Sequence, residues 1–128
     1  MKIQQLDHLV LTVRDIQTSI DFYTQVLGML AISFSQNRKA LKFGQQKINL
    51  HLAGNEFLPH ANQPCPGSAD LCFIVDSSIE DIQKELAEKN IAIESGPVER
   101  TGATHKLISV YIRDPDKNLI ELSNKLSN

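Results

Sequence analysis

The chain has 128 residues and a net charge of −2, with 41% hydrophobic and 22% charged residues. This length lets one domain bury a core without disulfides or a structural metal. The charge balance offers no basic surface, so nucleic-acid binding is disfavoured. No apolar run approaches the roughly 20 residues that span a bilayer, and the opening residues lack a signal-peptide pattern. We therefore expect a cytoplasmic protein with no membrane partner.

The two cysteines carry little functional signal. Cys65 lies in a proline-rich stretch and Cys72 lies in an apolar run. Their spacing is not typical of a zinc site. We predict two reduced thiols, and a disulfide between them is the alternative.

The first predicted element is a strand, HLVLTV, whose alternation places His8, Val10 and Thr12 on the face opposite Leu9, Leu11 and Val13. An amphipathic helix follows from Asp15 to Leu27, and Gly28 ends it. Three further strands are predicted at 30–34, 39–43 and 47–52. The proline-containing stretch after them has no periodicity and is predicted to be a linker.

The second half repeats this order. A strand is predicted at 69–75, and a helix runs from the capping pair Ser77 and Glu80 to Asn90. Strands at 91–94, 107–112 and 118–123 complete the pattern, with hairpin turns at 44–46 and 114–117. We predict an α+β fold of two βαβββ modules, comprising module 1 (1–53), a linker (54–68) and module 2 (69–128).

Superposing the halves places four ligand-type side chains at equivalent positions. His8 falls opposite Asp70 in the first strands, and His51 falls opposite Glu121 in the last strands. Alternation puts each of them on the face away from its strand's most apolar residues. Each alone reads as a structural or surface residue. Together they favour a divalent metal of the first transition row with open positions for substrate.

Two arginines, Arg100 and Arg38, are weaker candidates for substrate binding. Arg100 lies in the segment SGPVERTGATHK at 95–106, which is predicted to overhang the sheet. Its planar guanidinium suits a substrate carboxylate or phosphate, and Arg38 raises the same possibility. The alternative for both is a solvated surface charge. His60 and His105 are expected to be exposed.

The stretches LDHLVLTV, SIDFYTQVLGM and RDPDKNLIELS together resemble the vicinal oxygen chelate superfamily, which includes glyoxalase I, extradiol dioxygenases and bleomycin-resistance proteins. The likeness runs the whole length. RKALKFGQQKINLH, PGSADLCFI and GPVERTGA resemble the glyoxalase domain-containing protein 5 group. The superfamily's motifs are specific for fold and less so for chemistry.

The resemblance implies curved sheets that form a metal-holding cleft, with His8, His51 and Glu121 as ligands of one zinc, nickel, manganese or iron ion. Asp70 stands where several members have histidine, and it is a fourth ligand, a partner of a ligand or a freed base. The modules of such proteins meet within one chain or across a dimer, and we expect a homodimer. Thr12 replaces the arginine of several glutathione-dependent members.

Three functions follow as hypotheses. The first is a metal-dependent lyase or isomerase of the glyoxalase type, acting on a small α-oxygenated substrate through an enediolate-like intermediate, with Glu121 or Asp70 moving the proton. The second is an extradiol-type iron dioxygenase. The third is a metal-free protein that binds a small molecule, as the bleomycin-resistance relatives do.

Overall fold

The computed structural model describes residues 1–127 and divides into two compact units, Met1–Ser68 and a second unit from Ala69 onward. Each unit has the order strand, helix and three strands, with its four strands in one sheet. The predicted α+β fold of two βαβββ modules is confirmed. In the described residues, no helix is long and apolar enough to cross a membrane.

Unit 1 contains β1, α1, β2, β3 and β4, which span His8–Val13, Ile16–Gln25, Leu30–Phe34, Arg38–Phe43 and Gln46–Leu52. Its sheet has the order β1-β4-β3-β2, with β1 parallel to β4 and the other pairs antiparallel. The core residues Leu11, Val13, Ile48 and Leu50 are at most 4% exposed. They alternate with the polar positions of β1 and β4, so one face of the sheet packs inward, as predicted.

Helix α1 begins where Asp15 accepts a hydrogen bond from the backbone N–H of Thr18 through its side chain. That bond satisfies one of the N–H groups that a helix start leaves unpaired. The helix buries Ser19 and Tyr23, and the chain turns after it at Gly28, whose φ of +70° favours glycine.

Unit 2 contains β5, α2, β6, β7 and β8, which span Asp70–Ile74, Ile79–Glu88, Ser95–Thr101, Lys106–Arg113 and Leu119–Lys125. Its sheet has the order β5-β8-β7-β6, with β5 parallel to β8. The core residues include Ile82 and Leu86 of α2 and Val110, Ile112 and Ile120 of the sheet. The turn between β7 and β8 is held by Asp114, which accepts hydrogen bonds from Asp116 and Asn118.

Two local predictions are wrong. The strand expected at 91–94 lies instead at Ser95–Thr101, in the segment predicted to be a loop. Because β6 is an edge strand, it tolerates Pro97, and a bulge after Ser95 accommodates Gly96. The cap of α2 is Ser78 and not Ser77, since the hydroxyl of Ser78 accepts a hydrogen bond from the N–H of Asp81.

Candidate functional site

Strand register shows which positions of the two sheets are equivalent. His8 pairs with Lys47 in unit 1, and Asp70 pairs with Leu119 in unit 2. Asn49 lies two residues after Lys47, and Glu121 lies two residues after Leu119, so these two side chains occupy equivalent positions in the two units. His51 is therefore equivalent to Ser123, and its predicted equivalence to Glu121 is off by two residues.

His8 lies at the start of β1 and is oriented by its neighbour. Its Nδ1 lies 2.8 Å from a carboxylate oxygen of Asp7, and the imidazole side chain is 45% exposed. A carboxylate on one ring nitrogen orients the imidazole and leaves the other nitrogen as the donor, which is a common arrangement for a metal-binding histidine. The chemistry of His8 therefore fits a metal ligand.

The structure does not bring His8 and His51 together within unit 1. His51 pairs with Thr12, whereas His8 pairs with Lys47, four residues earlier on the same strand. Four residues of strand span about 13 Å, which is too far for two parallel imidazoles to share one ion. Across residues 1–127, no group of three His, Cys, Asp or Glu side chains is placed to hold a metal ion.

His51 is instead engaged by a cation and an aromatic ring. It is 3% exposed, and its Nε2 lies 3.3 Å from Nη2 of Arg38. The ring of Phe57 packs edge-on against it, with ring centroids 5.5 Å apart. Burial, followed by the positive charge of Arg38, lowers the pKa of His51. Its surroundings therefore favour a neutral imidazole, and the contact of the Arg38 cation with Nε2 is what does not fit a metal ligand.

The guanidinium of Arg38 lies over two aromatic rings. Its guanidinium carbon lies 4.2 Å from the ring centroid of Phe57 and 5.4 Å from that of Phe34. The ammonium of Lys47 lies 3.9 Å from the same Phe34 centroid. These contacts fix the guanidinium plane, which is a geometry suited to holding an anion.

Glu121 lies on β8 and is held by hydroxyl groups. Its Oε2 accepts a hydrogen bond of 2.7 Å from Ser109, and the hydroxyls of Ser109 and Ser123 lie 2.6 Å apart. Both serines are fully buried, so their hydroxyls depend on this network. The thiol of Cys72 lies 3.4 Å from the Ser123 hydroxyl. The carboxylate of Glu121 is thus fixed on one side by a chain of buried donors.

A pocket of about 510 Å³ lies over this carboxylate within unit 2. Its lining includes Glu121, Cys72, Arg100, His105 and Lys125. The volume suits a small ligand, and the cations around the carboxylate favour an anionic one. His105 is half-buried there and not exposed as expected.

Arg100 lies on β6 and is positioned by Tyr111. Its Nε donates a hydrogen bond of 2.9 Å to the Tyr111 hydroxyl, and Nη1 donates to the carbonyl of Glu99. Burial raises the pKa of Tyr111, so the phenol stays protonated at neutral pH. Arg100 is thus a pocket residue on a strand and not part of an overhanging loop.

Asp70 and Cys72 are the remaining polar residues near Glu121. Asp70 is exposed at the start of β5, one diagonal step from Glu121, and its charge acts on Arg113. Arg113 forms a two-pronged ion pair with Glu94, with contacts of 3.0 and 2.9 Å. Burial raises the pKa of the Cys72 thiol, which therefore stays protonated and is a poor nucleophile.

Several residues of these two faces were missed by sequence reasoning. Ser109 reaches the face of Glu121 only through the pairing of β7 with β8. Alternation along one strand places Asn49 on the face of His51 and Ser123 on the face of Glu121, and that signal was available. The contact of Phe57 with Arg38 was not, because Phe57 lies in the stretch after β4 that has no periodicity.

Comparison with known proteins places this geometry in context. The family model of the glyoxalase, bleomycin resistance protein and dioxygenase superfamily matches residues 5–122. The virulence protein STM3117 of Salmonella typhimurium is 60% identical over 123 residues, covering 96% of this chain and 85% of that protein. Its crystal structure superposes with a TM-score of 0.97 at 59% identity, covering 98% of this chain and 100% of that one.

Two further relatives carry names that refer to glyoxalases. The glyoxalase domain-containing protein RDO1 of Mycosarcoma maydis is 56% identical, covering 96% of this chain and 69% of that protein. The lactoylglutathione lyase of Shigella flexneri is 31% identical over 134 residues, covering 92% of this chain and 90% of that protein.

Proposed function

The chain belongs to the glyoxalase, bleomycin resistance protein and dioxygenase superfamily, and from this premise we propose that it is a glyoxalase-type lyase or isomerase. Membership confirms the resemblance read from the sequence. The proposed substrate is a small anionic α-oxygenated compound or its thiol adduct. The observation that carries the proposal is the placement of Glu121 in a pocket shared with Arg100 and Lys125.

Glu121 is the proposed base. It accepts a proton from the hydroxyl-bearing carbon next to a substrate carbonyl and returns it to the former carbonyl carbon, while the hydroxyl proton passes to the former carbonyl oxygen, so the substrate is isomerised without a net change of oxidation state. Ser109 keeps one carboxylate oxygen in place during both transfers. Arg100 holds the substrate's negative group at the pocket wall. Asp70 is the alternative base, and its exposed position makes it the weaker one.

A divalent metal fits two of the predicted ligands, His8 and Glu121. When bound, the ion supplies positive charge that stabilises negative charge on the substrate's oxygens. His51 is not proposed as a ligand, because Arg38 occupies its Nε2. His8 and His51 lie too far apart in unit 1 to bind one ion. The two-His, one-carboxylate arrangement of an extradiol dioxygenase therefore has less support than the lyase.

We further propose that the metal donors come from two copies of the chain. This proposal is supported by the separation of the two donors in the chain, since His8 begins β1 of unit 1 and Glu121 lies on β8 of unit 2. The expected homodimer would then be part of the catalytic unit. Size-exclusion chromatography with light scattering should give a mass of two chains, and a monomer at micromolar concentration would contradict the proposal.

The activity is tested by following turnover of hemithioacetals and other α-oxygenated compounds, after reconstitution with zinc, nickel, manganese or iron in turn. We expect Glu121→Gln to lower kcat per bound metal ion by about 10²- to 10⁴-fold, because the amide cannot accept the proton. The metal content of each preparation is measured, because Glu121 is also a proposed ligand. Lys117→Gln, a change in an exposed turn residue, is the control and should keep full activity. Equal activity of Glu121→Gln and the unmodified protein would reject Glu121 as the base.

The shared metal site is tested by mixing two variants that each lack one ligand. His8→Ala and Glu121→Ala should each lose metal when prepared alone. If ligands come from two copies, a mixed dimer has one site with both substitutions and one intact site, so metal and activity return in part. Subunit exchange is verified first. A mixed sample that then recovers neither metal nor activity would contradict a site shared between copies.

A further inference from the structure

We infer that the pocket of unit 2 selects a substrate with a second negative group, which Lys125 and the hairpin at 101–105 hold at the end of the pocket farther from Glu121. This inference rests on the proposed function, since it names the substrate class of the same pocket. The second group is an oxyanion, either a carboxylate or a phosphate ester, and it is additional to the group that Arg100 holds. Lys125 is thus a residue that determines specificity.

The first step concerns the direction of the pocket along the sheet. Strand register places Arg100, Leu107 and Lys125 in one row across β6, β7 and β8, and all three line the pocket. Cys72 and Glu121 form another row of the same lining. Glu121 and Lys125 lie four residues apart on β8, which corresponds to about 13 Å of strand. The pocket therefore runs along β8, from the proposed base to a row with two cations.

The second step concerns the positions of these two cations. The Nε of Arg100 donates to the Tyr111 hydroxyl, and Tyr111 pairs directly with Glu121 across β7 and β8. The guanidinium of Arg100 is therefore drawn toward the end of the pocket that contains Glu121. No ion pair or hydrogen bond holds the ammonium of Lys125 within residues 1–127. Lys125 thus provides a separate positive charge at the far end.

The third step concerns the hairpin beside Lys125. Ala103, Thr104 and His105 line the pocket, and the N–H of Gly102 donates to the carbonyl of His105 over 2.8 Å. A Cβ at Gly102 would lie 2.7 Å from that carbonyl oxygen and 3.0 Å from a side-chain carbon of β7, so the hairpin is packed tightly. The hydroxyl of Thr104 lies 2.9 Å from Nδ1 of His105 and orients the imidazole. The far end of the pocket therefore has a well-packed polar wall.

The fourth step concerns size. The volume of about 510 Å³ lies in the range typical of sites for drug-sized ligands, which are larger than a three-carbon hydroxyketone. Ile74 also lines the pocket, and it pairs with Ser123, midway between Glu121 and Lys125 on β8. An apolar side chain between two charged ends suits a substrate with several carbons between its reacting carbon and a terminal oxyanion.

The test compares two ligands that share one end and differ at the other, by isothermal titration calorimetry. α-Ketoadipate and α-ketohexanoate have chains of equal length and the same α-keto acid end, and only α-ketoadipate carries a second carboxylate. Both lack the hydroxyl-bearing carbon on which the proposed reaction acts, so binding is measured without turnover. α-Ketoadipate should bind at least about tenfold more tightly. A metal ion at the shared end affects both ligands alike and leaves this ratio unchanged.

A third ligand identifies the oxyanion. It is the analogue of α-ketoadipate in which a phosphonate replaces the second carboxylate. Tighter binding of the analogue would assign the far end of the pocket to a phosphate ester, and tighter binding of α-ketoadipate would assign it to a carboxylate. Binding of both no tighter than that of α-ketohexanoate would overturn the inference.

Matched variants assign the role of Lys125. Lys125→Gln should remove the preference for α-ketoadipate and leave the affinity for α-ketohexanoate unchanged, whereas Lys125→Arg should keep the preference. Lys106→Gln removes the same charge from the start of β7, on the face opposite Leu107, and should change neither affinity. Backbone amide spectra verify that each variant is folded. A preference that survives in Lys125→Gln would overturn the assignment to Lys125.

The outcomes separate this inference from the proposed function. A Lys125-dependent preference without turnover of any α-oxygenated compound would support the inference while the proposed lyase fails. Turnover without any preference for α-ketoadipate would overturn the inference and leave the proposed function standing. Glu121→Gln should keep the ratio of the two affinities, because it alters only the end that the two ligands share.

Discussion

The two sheets share one strand order and differ in the chemistry of equivalent positions. His8 and Asn49 of unit 1 stand where unit 2 has Asp70 and Glu121. His51 of unit 1, beside a stacked arginine, stands where unit 2 has Ser123. The backbone therefore sets where these side chains are placed, and residue type decides whether a face carries an imidazole beside an arginine or a carboxylate held by a serine hydroxyl.

The comparison predicts equal roles for equivalent core residues. Ile48 and Ile120 occupy the same position in the two sheets, and both are 0% exposed. Replacing either with alanine leaves a cavity, and we expect each change to cost about 2–5 kcal/mol of unfolding free energy. Urea unfolding monitored by circular dichroism measures the loss. A loss below about 1 kcal/mol for one residue alone would show that the two cores are not equivalent.

The turns that precede β4 in unit 1 and β8 in unit 2 are less alike than the two cores. In unit 2, Asp114 accepts hydrogen bonds from two backbone N–H groups and from the Asn118 amide. Asp114→Ala leaves these buried donors unpaired, and we expect it to cost about 1–3 kcal/mol. Gln45→Ala, in the exposed turn of unit 1, should change stability by less than about 0.5 kcal/mol. Equal effects of the two substitutions in urea unfolding would mean that Asp114 does not hold its turn.

The N-terminal cap of α2 gives a prediction with a smaller expected effect on stability. Ser78→Ala removes the hydroxyl that accepts from the Asp81 N–H, and we expect a loss of about 1 kcal/mol. The neighbouring Ser77→Ala is the control, because Ser77 is the residue that the capping pattern nominated. A larger loss for Ser77→Ala in thermal unfolding would restore the sequence-based assignment.

The smallest expected effect is a dependence on pH in unit 1. Because the pKa of His51 is lowered from 6.5 in the folded chain, the unfolded chain binds more protons below that pH. His51 should therefore destabilise the fold as pH falls below 6.5 and have no such effect above it. Urea unfolding at pH 7.5 and at pH 5.5 should show a smaller acid-induced loss for His51→Gln than for the unmodified protein. His60→Gln, in an exposed residue, is the control, and identical pH dependence in all three proteins would contradict this assignment.

Much of the fold was predictable because hydrophobic alternation and helix periodicity are local signals. They gave the order of elements, the inward faces of β1 and β4 and the end of α1 near Gly28. They failed at β6, where Gly96 and Pro97 resemble a loop but lie at an edge strand that tolerates both.

The residue types of the site could be predicted from the sequence, whereas the register of the strands that carry them could not. Strand register depends on hydrogen bonds between distant segments, and the halves differ by one residue in their last turn, so matching them by eye set His51 opposite Glu121. The contact of Arg38 with His51 depends on the packing of Phe57, which no periodic pattern encodes. Residue types thus indicated ligand-type side chains, whereas the structure places His51 beside Arg38 in unit 1 and Glu121 beside Ser109 in unit 2.

The central claim is that Glu121 moves a proton on a carbon next to a carbonyl. The most direct measurement follows deuterium incorporation at that carbon of hydroxypyruvate, an anionic α-hydroxy ketone, in D₂O by proton NMR, with metal-reconstituted protein. We predict exchange that is catalysed by the unmodified protein and by Arg113→Gln, and lost in Glu121→Gln. Exchange at the same rate in Glu121→Gln, or no exchange above the rate in buffer for the unmodified protein, would contradict the account.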